Sequence, residues 1–269
     1  MTQKQPALFI PHGGGPWPFM QDFGPPGMWD SLRGFLEGIE TSLPAPPKAF
    51  VVISAHWETE RPSVDVDAAP GMLFDYYGFP KDTYALSYPA PGAPQLAARV
   101  RALLSEAGIA CDEARGRGLD HGVFIPMMLI HPQADTPVLQ MSLQKGASVA
   151  RHLEIGRALA PLREEGVLML GSGMSYHNLR EFFSTAESPR TAAKSFDDWL
   201  TQTLLLDDSR ARGTRLMDWR SAPGAKASHP TPEHLEPLFV IAGAAGDDRG
   251  RRVFHGQFWG KAVSGFAFG

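Results

Sequence analysis

The sequence predicts an α/β fold, a single domain with a mainly parallel central sheet covered by helices on both faces. Short apolar runs without alternating polar residues, such as "FVVI" at residues 50–53, recur along the chain, as expected of strands buried on both faces. Segments with apolar residues at helical spacing separate these runs, and such alternation favours parallel strand pairing. No repeat or linker divides the 269 residues, so we expect one domain over residues 1–269.

The predicted elements follow one another in this alternating order. The first helix carries Leu32, Leu36 and Ile39 three or four positions apart, and the prolines of residues 44–47 end it. Residues 60–92 are rich in proline, glycine and tyrosine, which indicates an irregular segment over the sheet. The predicted strands are residues 7–11, 49–55, 137–143 and 166–173, and the predicted helices are residues 28–43, 93–107, 150–162, 196–204 and 231–245.

Charge and apolar content exclude several classes of partner. The 25 Lys and Arg residues nearly balance the 29 Asp and Glu residues, and no long basic run occurs. This composition argues against binding to nucleic acid or to an anionic membrane. The sequence has neither a signal peptide nor an apolar run near the roughly 18 residues that span a bilayer, so we expect a cytoplasmic protein. Cys111 is the single cysteine, which excludes an internal disulfide.

Histidines follow three of the predicted strands. His12 comes directly after the first strand, His56 comes after the second, and His177 lies a few residues beyond the strand at 166–173. Ligands of open α/β sheets bind in the crevice at the carboxyl ends of the strands. We therefore expect these three histidines to converge on one site.

Two further histidines have similar contexts. His121 stands in "GLDHGVF", and His234 lies near the start of the last predicted helix. Imidazole is the commonest metal ligand in proteins and the usual general acid or base near neutral pH. No local metal signature such as HExxH or paired CxxC is present, so a ligand set must come from distant positions. The remaining contexts are ordinary and indicate surface or structural roles for His131, His152 and His255.

The glycine run at residues 12–16, "HGGGP", is similar to the oxyanion-hole sequence of some esterases. That chemistry needs a nucleophile in a G-x-S-x-G motif, and the sequence has none. The glycine-rich phosphate-binding motifs are absent as well. We interpret the glycines as residues that let the backbone turn tightly or pass close to a ligand.

Seven sequence blocks occur in the order seen in one enzyme family. They are "PALFIPHGGGP", "VVISAHWE", "YYGFP…YPAPG", "GLDHGVFIPM", "PVLQMSL", "GSGMSYHNLR" and "PTPEHLEPLFVIAGAAG". In these blocks the chain resembles the class III extradiol ring-cleavage dioxygenases, and within them the DOPA 4,5-dioxygenase group of the protocatechuate 4,5-dioxygenase superfamily. The resemblance extends over residues 6–245, and the α/β fold that it implies agrees with the predicted elements.

The resemblance implies a metal site and an acid–base residue. It places His12, His56 and His234 as metal ligands, His177 as the acid–base histidine, and His121 as a pocket residue that assists oxygen activation. It implies Fe(II) as the active metal, and Zn(II) is an alternative in the purified protein because such a ligand set also resembles catalytic zinc sites. His229 and Glu233 are alternative ligands near the third position. Aromatic residues are expected to bind the substrate, namely Trp57, Tyr76, Tyr77 and Tyr176.

The activity implied by the resemblance is opening of a catechol-type ring with O₂, by a single catalytic domain over residues 1–269. The implied partners are a small aromatic substrate and O₂. Two alternatives use the same residues or fold: a zinc-dependent hydrolase that activates water, and a non-catalytic binding protein. The sequence leaves the identity of the catechol and any homo-oligomer open.

The residues after His56 raise a separate question. A metal-bound histidine usually donates its second N–H to a carboxylate or carbonyl. In an extended strand Glu58 points to the same side as His56, and Trp57 points to the other side. We therefore predict that Glu58 supports His56 or lies at the pocket edge, with a solvated glutamate as the alternative, and that Trp57 is a packing anchor.

Overall fold

A sheet of eight strands forms the centre of the computed structural model, which describes residues 3–20 and 22–269. The strands are β1 Ala7–Pro11, β2 Ala49–Thr59, β3 Ser63–Asp65, β4 Asp112–Ala114, β5 Val138–Gln144, β6 Val167–Gly173, β7 Gly250–Phe258 and β8 Lys261–Phe268. The helices are α1 Asp30–Glu37, α2 Ile39–Ser42, α3 Pro94–Glu106, α4 His121–Ile130, α5 Val149–Leu159, α6 Pro161–Glu164, α7 Glu187–Leu204, α8 Ser209–Met217, α9 Ala225–Ser228 and α10 Glu236–Ala244.

The strand order is β4-β3-β5-β2-β6-β1-β8-β7. The four central strands β5, β2, β6 and β1 pair in parallel, and β3 and β4 also pair in parallel. Antiparallel pairs join β3 to β5, β1 to β8 and β8 to β7. The sheet is therefore mainly parallel, as predicted, with an antiparallel hairpin at one edge.

Both faces of the sheet are covered, because successive side chains of a buried strand point to opposite sides. Val51 and Ile53 of β2 belong to one apolar cluster, together with residues of α3, α5, α7 and α10. Phe50 and Val52 belong to the other cluster, together with residues of α1 and α4. This arrangement confirms the predicted α/β fold, and it explains why β1, β2 and β6 have no polar alternation.

The predicted helix at 28–43 is in fact two helices. α1 ends at Glu37, and the short α2 follows after Gly38. The predicted helix at 231–245 begins only at Glu236, so His234 lies in the turn before α10. Side-chain periodicity sets neither of these boundaries, which explains both errors.

Several elements were not predicted, namely α4, α8, α9, the short strands β3 and β4, and the β7–β8 hairpin. α4 is buried on nearly all sides, so its sequence has no polar face and no helical periodicity. The β7–β8 hairpin closes the chain, and β8 is buried along its whole length. Residues 60–92 are irregular as predicted, apart from β3 and a 3₁₀ turn at Lys81–Ala85. Across the described residues, no helix is both long and apolar enough to cross a membrane.

α5 and α10 approach each other closely at Gly156 and Gly243. A Cβ atom on Gly156 would lie 1.9 Å from the carbonyl oxygen of Val240, and one on Gly243 would lie 2.2 Å from that of Leu153. Glycine is needed at this crossing because the backbone of one helix packs directly on the other. The crossing positions α10, and with it the turn that carries His234, against the sheet.

We expect Gly156→Ala to lower the free energy of unfolding by about 1–3 kcal/mol, because α5 and α10 must move apart to admit the methyl group. Gly213→Ala in α8 is the matched control. A Cβ there lies 3.7 Å from its nearest neighbour, Leu153 Cδ1, and alanine favours the helix by about 0.5–1 kcal/mol. Urea denaturation of both variants measures the difference. Equal stability of the two variants would contradict the packing argument.

Candidate active site

A cavity of about 410 Å³ opens beyond the carboxyl ends of the central parallel strands. Five histidines lie in its wall, and the rest of the wall is largely apolar. The lining residues are His12, Gly13, Gly14, Gly15, Phe23, His56, Asp75, Tyr76, Phe79, His121, Met174, His177, Leu179, Phe182, Phe183 and His234.

The strand ends deliver the first two histidines. His12 follows the last residue of β1, and its backbone N–H donates to the Gly173 carbonyl at 3.1 Å, which extends the pairing with β6. His56 lies within β2, where the register with β5 shifts between Ile53 and Glu58. Such an irregularity re-aims the side chains of a strand.

Loops and helix starts deliver the other three histidines. His121 is the first residue of α4. The backbone N–H of His177 donates to the Ser228 carbonyl at 2.9 Å, and the His234 carbonyl accepts from the Met174 N–H at 2.9 Å. These contacts connect the segment after β6 to the turn before α10, so both histidines enter the cavity.

The glycine run lets aromatic rings pack directly on the loop after β1. Gly13 and Gly15 have φ values of +82° and +53°, which L side chains rarely adopt. A Cβ on Gly13 would lie 2.2 Å from the Trp17 indole nitrogen, and one on Gly15 would lie 2.7 Å from the Phe79 ring. The positive φ values fit the tight turn interpreted from the sequence, and the groups that the backbone approaches are aromatic side chains.

The three predicted metal ligands lie close together. The ring centroids are 4.9 Å apart for His12 and His56, 4.8 Å for His56 and His234, and 5.3 Å for His12 and His234. His121 lies 4.0 Å from His56, and the His177 ring stacks on His234 at 3.3 Å. The structure therefore brings all five predicted histidines into one cluster.

Hydrogen bonds at Nδ1 orient three of these rings. His12 Nδ1 lies 3.1 Å from Ser172 Oγ, whose hydroxyl donates to the Gly122 carbonyl and so accepts from the histidine. His121 Nδ1 lies 2.8 Å from Asp75 Oδ1, and His234 Nδ1 lies 3.1 Å from Glu233 Oε1. With the proton assigned to Nδ1 by these acceptors, Nε2 carries the free lone pair.

Asp75 holds two histidines with one carboxylate. Its Oδ1 accepts from both the ring and the backbone N–H of His121, and its Oδ2 lies 3.5 Å from His56 Nδ1. Burial alone would raise the pKa of Asp75, but the bonds and charge of His121, together with His56, lower it to about 2. Asp75 was not among the residues predicted from the sequence. The one local feature that could have indicated it is its position directly before the "YYGFP" block.

Burial keeps the imidazoles uncharged. Desolvation, followed by repulsion from neighbouring histidines, lowers the pKa values of His12 and His234 well below 6.5. Desolvation does the same at His56, where the repulsion of His121 outweighs the attraction of Asp75. Burial and the nearby His121 lower the pKa of His177 to about 4. These four rings are neutral at pH 7, which is the state that binds metals or accepts protons.

Two groups of side chains place possible ligand atoms within 4.8 Å of one another in the described part of the chain. One group is His12, His56 and His121, and the other is His177, Glu233 and His234. The predicted ligand set takes two members from the first group and one from the second. The first group is a histidine triad that could hold a metal ion, and the second combines two histidines with a carboxylate.

Three of the four predicted substrate-binding aromatics lie away from the cavity wall. Tyr76 does line the cavity. Trp57 is buried outside it under the Arg117 guanidinium, 4.5 Å from the ring centroid, which fits the packing role but not substrate binding. Tyr77 is 90% exposed, and Tyr176 is buried against Phe182. The sequence did not show which of the neighbouring Tyr76 and Tyr77 side chains points into the cavity. It also did not show that Tyr176, which follows β6, points away from it.

The structure does not support the roles predicted for His229, as an alternative ligand, and for Glu58, as a residue that supports His56 or lies at the pocket edge. His229 lies outside the cavity, where its Nε2 bonds to the Ser175 carbonyl at 2.9 Å and its ring packs against Phe196 and Trp219. Glu58 is exposed, and the carboxylate nearest the His56 imidazole is Asp75. The bulge in β2 breaks the simple alternation on which the Glu58 prediction depended.

Comparison with known proteins decides the family. Residues 6–265 match the family described as the catalytic LigB subunit of aromatic ring-opening dioxygenase. The chain belongs to this family. It is a dioxygenase of the extradiol class, which opens aromatic rings.

Individual relatives of this dioxygenase agree with the family match. The chain is 41% identical over 219 residues to a 4,5-DOPA dioxygenase extradiol of Beta vulgaris, covering 81% of each chain. It is 38% identical to the dioxygenase tasH of Hapsidospora irregularis, covering 98% of this chain and 85% of the relative. A solved structure of an uncharacterized protein from Escherichia coli K12 superimposes with a TM-score of 0.80 at 30% identity, covering 99% of this chain and all of that one.

We expect Asp75→Asn to lower the rate of ring opening by this dioxygenase about 10–100-fold, as removal of a group that orients active-site histidines typically does. The amide keeps the shape of the side chain but offers His56 and His121 no charged acceptor. Glu58→Gln is the matched control, since it also replaces a carboxylate by an amide two residues from His56, and it should retain most activity. Steady-state rates of the two variants provide the test. A loss of activity in Glu58→Gln but not in Asp75→Asn would show that Glu58, rather than Asp75, orients the histidine.

We expect the metal-free dioxygenase to lose stability as the pH falls from about 6.5 to 4. Six histidines have folded pKa values below the unfolded value, so the unfolded chain binds more protons in this window, and each titrating group contributes about 1.4 kcal/mol per pH unit. They are His12, His56, His152, His177, His229 and His234. Glu236, whose pKa burial and neighbouring carboxylates raise to about 7, opposes the trend by one proton.

Urea denaturation at several pH values, in the presence of a chelator, measures this slope. His152→Leu removes one buried histidine outside the cavity, so the slope of the free energy of unfolding against pH should decrease by the contribution of about one proton. A free energy of unfolding that is constant between pH 6.5 and 5 would show that the buried histidines are charged in the folded protein.

Proposed function

We propose that this dioxygenase opens the ring of a catechol-type substrate with O₂, at the bond beside the two hydroxyl groups, with a non-haem metal ion as cofactor. The observation that carries the proposal is the convergence of buried imidazoles at one end of an otherwise apolar cavity. Membership of the family and the relatives named as 4,5-DOPA dioxygenases support this reaction. Residues 1–269 would act as one catalytic domain.

The donor set fits a divalent metal ion held by His12, His56 and His234. The Nε2 atoms of His12 and His56 lie 3.2 Å apart, and two lone pairs at this distance repel each other unless a proton or cation lies near them. The Nε2 atom of His234 is buried and has no hydrogen-bond partner. Because buried polar atoms are rarely left unpaired, a cation shared by the three rings accounts for both features.

Fe(II) is the ion that we propose for activity, and Zn(II) is the alternative occupant. Imidazole suits both ions, and a triad leaves further positions open. When bound, either ion would supply Lewis acidity next to the adjacent hydroxyl groups of the substrate, and Fe(II) would also supply redox chemistry, which Zn(II) lacks. His121 is the rival third ligand. Its ring is already held to Asp75, whereas His234 has the unpartnered nitrogen.

His177 is the proposed general base. Its Nδ1 is buried 3.7 Å from Glu233 Oε1, which leaves Nε2 as the nitrogen that exchanges protons with the cavity. Burial and the nearby His121 lower the pKa of His177, so the ring is neutral at pH 7 and has a free lone pair for the proton of the second hydroxyl of the catechol. Stacking on His234 at 3.3 Å holds the ring beside the proposed metal ligand.

His121 and the apolar walls complete the site. Asp75 fixes the His121 proton on Nδ1, so its Nε2 side faces the cavity and can exchange a second proton as the ring opens. Tyr76, Phe79 and Phe23 form the walls, where they exclude water and contact the faces of an aromatic ring. Both atoms of O₂ enter the product, which is a ring-opened semialdehyde acid.

Anaerobic reconstitution with Fe(II), followed by addition of catechol and air, tests the proposed function. The expected result is uptake of one O₂ per catechol together with a yellow semialdehyde product. Protein loaded with Zn(II) is the control and should consume no O₂. Hydrolysis of esters by the Zn(II) form, without O₂ uptake by the Fe(II) form, would favour the hydrolase alternative.

We expect single alanine variants to separate metal ligands from proton-transfer residues. His56→Ala and His234→Ala should lose both bound metal and turnover, because two ligands hold a metal ion poorly. His177→Ala should keep its metal and lose turnover about 10²–10⁴-fold, the usual contribution of proton transfer. Metal analysis after dialysis, alongside O₂ uptake, measures both properties.

His121→Ala decides between the two possible triads. It should retain metal if His234 is the third ligand. Loss of metal from His121→Ala and retention by His234→Ala would assign the site to His12, His56 and His121. Equal loss from His177→Ala and His56→Ala would make His177 a ligand.

A further inference from the structure

The cavity has two chemically different ends. The histidines and Asp75 form one end, and the other described lining side chains are apolar or aromatic. Leu179 and Phe183 are 66% and 57% exposed while still lining the cavity, so they mark its mouth. A substrate whose diol lies among the histidines therefore directs its remaining substituent along the apolar wall toward Leu179 and Phe183.

Polar donors near this wall are already used. The Tyr76 hydroxyl donates to the Thr83 carbonyl at 2.6 Å. The indole N–H groups of Trp17 and Trp29 donate to the carbonyls of His12 and Phe23, at 2.9 and 2.6 Å. These hydrogen bonds leave the rings to offer apolar surface rather than donors to a bound substituent.

No lysine or arginine is among the described residues that line the cavity. Arg180, which follows Leu179 in the chain, is exposed and does not line the wall. Asp75 is the one acidic side chain of the described wall, and it lies at the histidine end, bonded to His121. A carboxylate on the substituent would lose water without gaining a cationic partner among the described lining residues, which is unfavourable, and a distal ammonium would find no carboxylate among the lining residues of the mouth.

We propose that the preferred substrate is a catechol whose ring substituent is uncharged and apolar, and that Leu179 and Phe183 select it at the mouth of the cavity. This inference rests on the proposed function. It separates the chain from relatives named for DOPA, since an amino acid carries both charges on its side arm. The cavity of about 410 Å³ accommodates one ring with a short alkyl or aryl substituent.

A set of shape-matched substrates tests the inference in the Fe(II)-loaded enzyme. They are catechol, 4-propylcatechol, 3-(3,4-dihydroxyphenyl)propanoate and 4-(2-aminoethyl)catechol. The propyl compound should exceed each charged analogue in kcat/KM by about tenfold or more. Each methylene that is added to catechol and buried should raise kcat/KM by up to about fourfold. Anaerobic calorimetric titration of the same ligands gives the ratios as Kd, independently of turnover.

Arginine substitutions at the mouth should reverse the preference. Leu179→Arg or Phe183→Arg places a cation where the substituent ends, so the propanoate-to-propyl ratio of kcat/KM should rise at least about tenfold, while the ratio for the ammonium analogue should not. Leu205→Arg, at an exposed leucine after α7, is the matched control and should leave all ratios unchanged. Comparing ratios within each variant removes any general loss of activity.

The outcomes distinguish this inference from the proposed function. Turnover of catechol with a preference for either charged analogue would overturn the inference and leave the proposed function intact. If Arg180→Ala abolished such a preference for the propanoate, Arg180 would be the anion partner, and the inference would be wrong. Failure of every catechol, with Fe(II) bound, would overturn the proposed function itself. Unchanged ratios of kcat/KM in both arginine variants would show that Leu179 and Phe183 do not determine substrate specificity.

Discussion

The burial of neutral imidazoles at the carboxyl ends of parallel strands is the constraint on which the site depends. A buried ring must place Nδ1 against an acceptor before Nε2 can serve a ligand. Ser172, Asp75 and Glu233 provide those acceptors for His12, His121 and His234. Each acceptor comes from a different part of the chain: β6, the irregular segment after β3, and the turn before α10. The chemistry of the cavity is therefore a property of the assembled fold.

The same constraint explains several backbone features near the site. The glycines after β1 admit the rings of Trp17 and Phe79 to the loop, and the register shift in β2 re-aims His56. α10 is seated on α5 through Gly156 and Gly243, and it carries the preceding turn with His234. A small change in these contacts would therefore shift a histidine ring relative to the other histidines of the cavity. Positions far from the cavity thus contribute to its geometry.

The division of the cavity into a histidine end and an apolar mouth links reaction type to substrate choice. The family match extends over residues 6–265 and therefore includes both the histidine end and the mouth. The mouth is formed by Leu179 and Phe183, in the segment between β6 and α7. A loop of this kind can change its side chains without disturbing the sheet. Relatives can therefore share a reaction and differ in the substituent that they accept.

The sequence by itself determined the parallel strands, the covering helices and the five histidines. Each of these leaves a local signal: an apolar run, a helical period, or a histidine beside a strand end. Only the tertiary structure decided that Asp75, rather than Glu58, faces His56, that His229 packs against Phe196 outside the cavity, and that Tyr76 rather than Tyr77 lines it. α4 escaped prediction for the related reason that a helix buried on all sides has no polar face. Side-chain partners depend on bulges, turns and contacts between segments distant in sequence, and no local pattern of residues encodes them.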